Sequence, residues 1–511
     1  MRKTTLLSLL ALLLAVPAFG AATITIVNMD GPGEGFNDPG PPLLPAAGND
    51  TAASVGEQRL NVFLAAADQW GAILDSDVEI FVRANFDPLF CDATSAVLGS
   101  AGALVVQANF DNADFADTWY HAALANRIAG VDLDPPPPEG LQGDDLQARF
   151  NSDIDNNPNC LGTNNWYYGL DNNAPANTTD LFQVVKHELG HGLGFANFAN
   201  EATGALFQNQ ADIFTQFSRD NTTGLLWSEM NDAERMASAI NDQNLVWTGA
   251  AVRAEAPNVL VNPAALVITA PGGIAGTYAA QGATYGPAVA VPGTSGSLAI
   301  ANDGAGADPL DGCEPLAGFP AGNIAIIARG NCAFVTKTQN AQAAGAIGVV
   351  VTNNAATGLP PMGGTDPGGI TIPSIGISMA DGDTIRGVFP VANLGGAPQG
   401  SITLDVNSLA GADANGFVKL FAPNPVQPGS SVSHWDTSAT PNLLMEPFIN
   451  PDIGTDVDLT DELFADIGWF GANLPDIIEV PTVDTIGLFG LALLLLAAAL
   501  WMMSRRRRED V

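Results

Sequence analysis

Histidine is scarce in this 511-residue chain: there are four, matched by four cysteines and only five tyrosines. Positive charge is also thin. Lys and Arg total 18 against 54 acidic residues, for a formal net charge of −36. That balance excludes nucleic acid as a partner, because phosphate contacts need a basic surface. Charged residues make up only 14% while hydrophobic residues reach 47%, so global disorder is excluded too. The acidity reads as solubility or salt tolerance rather than as a device for a basic substrate. Asp-rich stretches make Ca2+ conceivable, yet no EF-hand loop is present to support it. The length points to two or three globular units.

Against that scarcity, two of the four histidines fall in one window, His187-Glu188-Leu189-Gly190-His191. Residues four apart on an α-helix share a face, so both imidazoles can reach one metal ion. Glu188 then points toward the open side of the metal, where a water would sit and a general base is needed. Asp180, three residues before Gln183, caps the predicted motif helix, and Leu181, Val184 and Val185 anchor it. The glycines at 190, 192 and 194 predict that the helix ends there.

Both ends of the chain carry membrane-directed patterns. Arg2 and Lys3, the apolar run Leu6 to Val16, and Ala18-Phe19-Gly20 predict a signal peptide over 1–20, cut before Ala21 and read by the Sec machinery. Near the other end, an uncharged stretch from Ile486 to Met503 precedes Arg505 to Arg508, which predicts a transmembrane helix with the arginines cytoplasmic. Exported proteins favour disulfides, and four cysteines suggest two. Three pairings are formally open; Cys313 with Cys332 and Cys91 with Cys160 is the expected one.

Between those ends the order reads as α+β. A strand is expected at Thr23 to Val27. Ser54 and Glu57 open a helix with Leu60, Phe63, Leu64, Ala67, Gly71 and Leu74 inward. A half-buried strand follows at Val78 to Phe86, and another is expected at Ala103 to Phe110. Pro135 to Pro138 and the Asn/Asp-rich stretch around 156–177 read as loops. From about 264 to 405 the composition turns to Gly, Ala, Val and Ile. Ile324 to Ala328, a turn at Arg329-Gly330-Asn331-Cys332, a helix from Phe334 to Ala344 and a strand from Ile347 to Thr352 form a βαβ unit.

That unit, with Gly330, Cys332, Phe334, Lys337, Asn340, Ala341, Ala344, Gly345 and Ala346 at their spacings and Ile372-Pro373-Ser374-Ile375 later, resembles the protease-associated (PA) domain. The resemblance implies a non-catalytic module that shapes access to a protease or binds its substrate; a purely structural insert is the other reading. At the C-terminal end, Val480-Pro481-Thr482, Gly487, the apolar run and the arginines resemble the IPTL-type sorting signal of Gram-negative bacteria, although Val483 and Ile486 depart from it. This implies recognition and removal of the tail by a membrane sorting enzyme; a plain single-span anchor is the alternative.

A catalytic zinc needs three protein ligands. Asn197 stands where the common metzincin third ligand would fall, and a neutral amide is a poor one. His121, in Trp119-Tyr120-His121 within a possible helix, reads as structural. His434 is the other candidate, in Ser433-His434-Trp435-Asp436, with Met445 eleven residues on in Asn442-Leu443-Leu444-Met445. Here the chain resembles the leishmanolysin-like metzincins, whose third histidine follows an insertion and precedes a Met-turn. A capped helix at Thr460 to Trp469 extends the likeness.

The resemblance implies His187, His191 and His434 as ligands of one catalytic Zn2+, Glu188 as general base and Met445 as the floor beneath the metal. The tyrosine some metzincins place just after that methionine is replaced by Glu446 and Pro447. The domains expected are a signal peptide (1–20), a metzincin-like zincin catalytic domain in two parts (21–263 and 406–475), a β-rich α/β PA insert (264–405) and a sorting tail (476–511) with its span at 486–503. The function implied is an exported or cell-surface zinc endopeptidase of a Gram-negative bacterium acting on protein or peptide substrates. The alternative is a non-catalytic binding or adhesion protein on a degenerate protease fold.

Overall fold

The computed structural model describes residues 21–133, 143–304, 306, 308–389, 397–450 and 453–470. The expected signal peptide, the Pro135 to Pro138 loop, the sorting segment, the 486–503 span and the arginine tail lie outside these. Among the described residues no helix is long and apolar enough to cross a membrane.

The first unit is built on a four-stranded mixed sheet. Its elements in chain order are β1 (Ile24–Asn28), helix α1 (Val55–Ile73), β2 (Ile80–Asp87), β3 (Gly99–Ala103) and β4 (Leu146–Asn151). The strands run in the order β1-β2-β4-β3, with β3 antiparallel at the edge and the others parallel. Alternation decides the faces of β2: Ile80, Val82, Ala84 and Phe86 are buried while the residues between them are half-buried. Phe86 and Phe150 from β4 meet Phe63 of α1 with ring centroids 4.8 to 5.9 Å apart.

Two expectations are corrected here. Leu64 is 43% exposed, and the buried face of α1 is Val62, Phe63, Ala66, Ala67 and Trp70. The stripe is rotated because α1 packs on the motif helix as well as the sheet, with Trp70 Nε1 donating to Lys186 O at 3.1 Å. The strand expected from Ala103 to Phe110 is instead β3, ending at Ala103, and a two-residue strand Val106–Gln107. Gly99 and Gly102 weaken the strand signal in β3, and Gly99 is there for close approach. A Cβ on Gly99 would stand 3.0 Å from the Phe150 ring and 3.1 Å from Glu188 Cγ.

Helix α2 (Leu181–Leu193) crosses beneath this sheet and carries the HExxH motif. It ends within the glycine run, as expected. Its C-cap is Gly194, at φ 146°. The inner glycines leave room for neighbours: a Cβ on Gly190 would lie 2.8 Å from Met445 Sδ, and one on Gly192 2.6 Å from Leu146 Cδ1.

The second unit is a closed seven-stranded barrel. It comprises β5 (Ala264–Ala270), β6 (Gly276–Gly282), β7 (Thr294–Ile300), β8 (Ile324–Ala328), helix α3 (Phe334–Ala343), β9 (Gly348–Thr352), β10 (Ser374–Ile377) and β11 (Gln399–Leu404). The order round the barrel is β5-β6-β10-β9-β8-β7-β11, with β7 to β10 joined by parallel pairings. β8 and β9 are buried at every position, which is why they read as unbroken apolar runs. The chain leaves the barrel beside where it entered: Asp405 N donates to Pro263 O and Ala410 N to Val261 O, both at 2.9 Å. The final helix, α4 (Thr460–Ile467), turns Leu463, Phe464 and Ile467 inward, and Trp469 Nε1 donates to Leu193 O at 2.8 Å, closing the end of α2.

Candidate metal centre

Helix α2 begins where Asp180 Oδ1 accepts from the backbone N–H groups of Phe182 and Gln183. Packing on all sides then buries it, so the motif residues are fixed rather than floating: Leu181, Val184, Val185, Leu189 and Leu193 are all buried. His187, Glu188 and His191 are 6, 8 and 9% exposed, and His434, delivered from the far side of the barrel insertion, is 4% exposed.

The three imidazoles converge. His191 Nε2 lies 3.1 Å from His187 Nε2 and 3.2 Å from His434 Nε2, and the third edge of the triangle is also 3.2 Å. Each opposite ring nitrogen faces a backbone carbonyl: His187 Nδ1 faces Leu444 O at 2.7 Å, His191 Nδ1 faces Phe195 O at 2.7 Å, and His434 Nδ1 faces Ser430 O at 2.8 Å. A carbonyl only accepts, so each Nδ1 must carry the proton. Every Nε2 therefore presents a lone pair to the same point. Three lone pairs at that spacing repel unless a cation sits among them, and nitrogens about 2.0–2.1 Å from a tetrahedral zinc are spaced by about 3.3 Å. The cluster fits a metal site, and its donor set is that of a zinc-type ion.

Electrostatics favour the same state. Burial holds His187 down at about 4 and His191 at about 3, and His434 well below its ordinary value, so all three rings are neutral at physiological pH. Burial pushes Glu188 up to about 8, opposed by a hydrogen bond from the Ala101 backbone in β3. Glu188 is thus set between the metal cluster and the edge strand.

Met445 is fully buried and packs its sulfur against the Gly190 turn of α2. Glu446, after it, is also buried, and its Oε1 accepts from Leu443 N at 3.0 Å, which fastens the turn instead of presenting a helper group. Asn197 is not among the converging nitrogens. Its backbone N–H and Nδ2 both donate to Ser433 Oγ, at 3.1 and 2.8 Å, so it ties the end of α2 to the residue before His434. His121 ends the short strand Thr118–His121 rather than lying in a helix, fully buried against the Phe198 ring at 4.6 Å, with neither ring nitrogen hydrogen-bonded. The cysteines form Cys91–Cys160 and Cys313–Cys332.

Two features escape a reading of the sequence. Asp303, Asp311 and Glu314 bring carboxylate oxygens within 4.8 Å of one another in the barrel unit. The Lys337 ammonium lies beside them, donating to Asp311 O and Gly330 O. Asp458 lies beneath the Met445 turn. Neither has a spacing motif; an Asp two residues ahead of a predicted helix was the only signal available for the latter.

Residues 283–385 match the family model of the PA domain, so the barrel unit carries a PA domain. An aminopeptidase of Pseudomonas aeruginosa (strain UCBPP-PA14) is 52% identical over 56 residues, which is 11% of this chain and 10% of that protein. Signal peptide peptidase-like 2 of Arabidopsis thaliana is 46% identical over 48 residues, 9% of each. The chain therefore spans about a tenth of the length of these curated relatives. Among solved structures, BSAP, a zinc aminopeptidase from Bacillus subtilis, is 21% identical with a TM-score of 0.20, covering 30% of this chain and 36% of that one.

Proposed function

We propose that this protein is a zinc-dependent endopeptidase of the leishmanolysin-like metzincin type, exported from a Gram-negative cell, with a PA domain inserted between its second and third metal ligands. The observation that carries the reading is the meeting of three Nε2 lone pairs from His187, His191 and His434. Bound there, zinc supplies a Lewis acid that acidifies water and polarises a peptide carbonyl. Glu188 stands on the motif helix one residue after His187, where it takes a proton from the attacking water and returns it to the leaving amine nitrogen. β3 is the edge strand of the sheet among the described residues and lies next to Glu188, a place where an extended peptide can add as a further strand. Met445 closes the apolar floor. Two disulfides support export, with the 1–20 pattern and the 480–508 tail supporting membrane handling by Sec and a sorting enzyme.

The test is metal analysis of the full chain with cleavage of casein and of an internally quenched peptide blocked at both ends, against Glu188→Ala. Cleavage of the blocked peptide, lost in Glu188→Ala with zinc retained, supports the endopeptidase. Removal of single residues from free N-termini alone would make it an aminopeptidase. Zinc without any cleavage would favour the binding-protein reading.

A further inference from the structure

Each ligand ring is aimed by one backbone carbonyl, so whatever fixes that carbonyl fixes the metal site. For His187 the carbonyl belongs to Leu444, a fully buried residue in the turn before Met445. The Leu444 N–H donates to Asp458 Oδ2 at 2.5 Å. Asp458 holds a left-handed backbone, φ 46°, at the end of a turn that is itself strapped down. Gln183 Nε2 donates to Gly454 O at 3.1 Å and Lys186 Nζ to Thr455 O at 3.2 Å, both from α2. Gln69 Nε2 from α1 donates to Thr455 O at 2.7 Å, and Asn172 Nδ2 to Ile453 O at 2.9 Å. The carboxylate is therefore mounted on a segment tied to the very helix that carries His187.

We propose that Asp458 is a positioning residue for the metal ligand His187, acting through Leu444. This rests on the reading that His187, His191 and His434 hold zinc. Helix α2 presents the ring, the 453–458 turn is bolted to α2, and Asp458 sets Leu444 so that its carbonyl meets His187 Nδ1. The loop closes on itself: helix to turn, turn to Leu444, Leu444 back to a side chain of the helix. Without the carboxylate the buried Leu444 N–H has no acceptor, the turn relaxes, and the His187 ring is free to rotate away from the other two. The role differs from simple packing, because it needs an acceptor at one point and not bulk.

The experiment compares the full-length wild-type chain with Asp458→Ala and Asp458→Asn. Zinc affinity is read by competition with a chromophoric chelator, and site geometry by the visible absorption of the cobalt(II)-loaded protein. The expected result is zinc binding weakened by about tenfold or more in Asp458→Ala, with an altered cobalt spectrum, and most of both restored in Asp458→Asn, which keeps an acceptor oxygen. Wild-type affinity and an unchanged cobalt spectrum in Asp458→Ala would overturn the proposal while leaving the zinc reading intact. Failure of the wild-type chain itself to bind zinc or cobalt would overturn both. Should Asp458→Ala not fold, Asp458→Glu, which displaces the acceptor by one methylene, is read in its place: weakened zinc supports the role, and unchanged zinc and cobalt signals refute it.

Discussion

The sulfur of Met445 occupies the space that a side chain on Gly190 would fill, 2.8 Å from where its Cβ would stand. Glycine inside a helix costs about 1 kcal/mol relative to alanine, so the motif gives up helical stability to let the turn that aims His187 press against it. Gly190→Ala is expected to destabilise the protein by about 1–2 kcal/mol net, the overpacking exceeding the helical gain. It should also lower zinc occupancy by displacing the 443–446 turn. Thermal unfolding and metal content check this; a raised Tm would show that Met445 moves freely.

Arg59 is 1% exposed and gathers Tyr168 OH at 2.9 Å, Asp155 at 3.2 Å and Gly35 O at 3.1 Å, with Asp38 at 3.5 Å. Truncating one partner of a buried ion pair strands the other charge. Arg59→Ala should therefore cost about 3–5 kcal/mol in chemical denaturation, far more than an exposed pair such as Arg149–Asp87.

His121 gives a pH signature. Burial lowers it from 6.5 to about 3, so between those values the unfolded chain binds a proton that the folded protein refuses. Stability contributed by this group is full above about pH 6.5 and falls as the pH drops toward 3. His121→Phe removes both unpartnered nitrogens. It should flatten this acid limb of the stability profile while changing stability at pH 7 by less than about 1 kcal/mol. A steepened acid limb would contradict the assignment.

The disulfide Cys313–Cys332 closes a separation of 19 residues inside the barrel unit. Replacing both cysteines with alanine should destabilise that unit by about 3 kcal/mol and leave zinc affinity unchanged. Calorimetry and metal titration on the same double variant separate the two effects.

The fold and the site were legible in the sequence where their signals are local. The capping by Asp180, the i, i+4 histidines and the apolar runs of β8 and β9 need nothing beyond their neighbours. β3 is not legible because Gly99, which makes room for Phe150 and Glu188, and Gly102 leave no alternating pattern. The end of α2 is legible in its glycine run, with Gly194 as the cap, while Gly190 and Gly192 make room for Met445 and Leu146. His434 was reachable only through family resemblance, since 243 residues separate it from His191. The role of Asp458 was not reachable from its place two residues ahead of a predicted helix, because its meaning lies in one hydrogen bond to a backbone N–H.

The account stands on three imidazoles sharing one cation. The most direct measurement is the zinc content of the full-length chain and of His434→Ala, after equilibration with zinc and removal of loosely held metal. One zinc per chain in the wild type, lost in His434→Ala with folding retained by circular dichroism, is the predicted result. A wild-type chain without zinc, or a His434→Ala variant holding it as tightly, would contradict it.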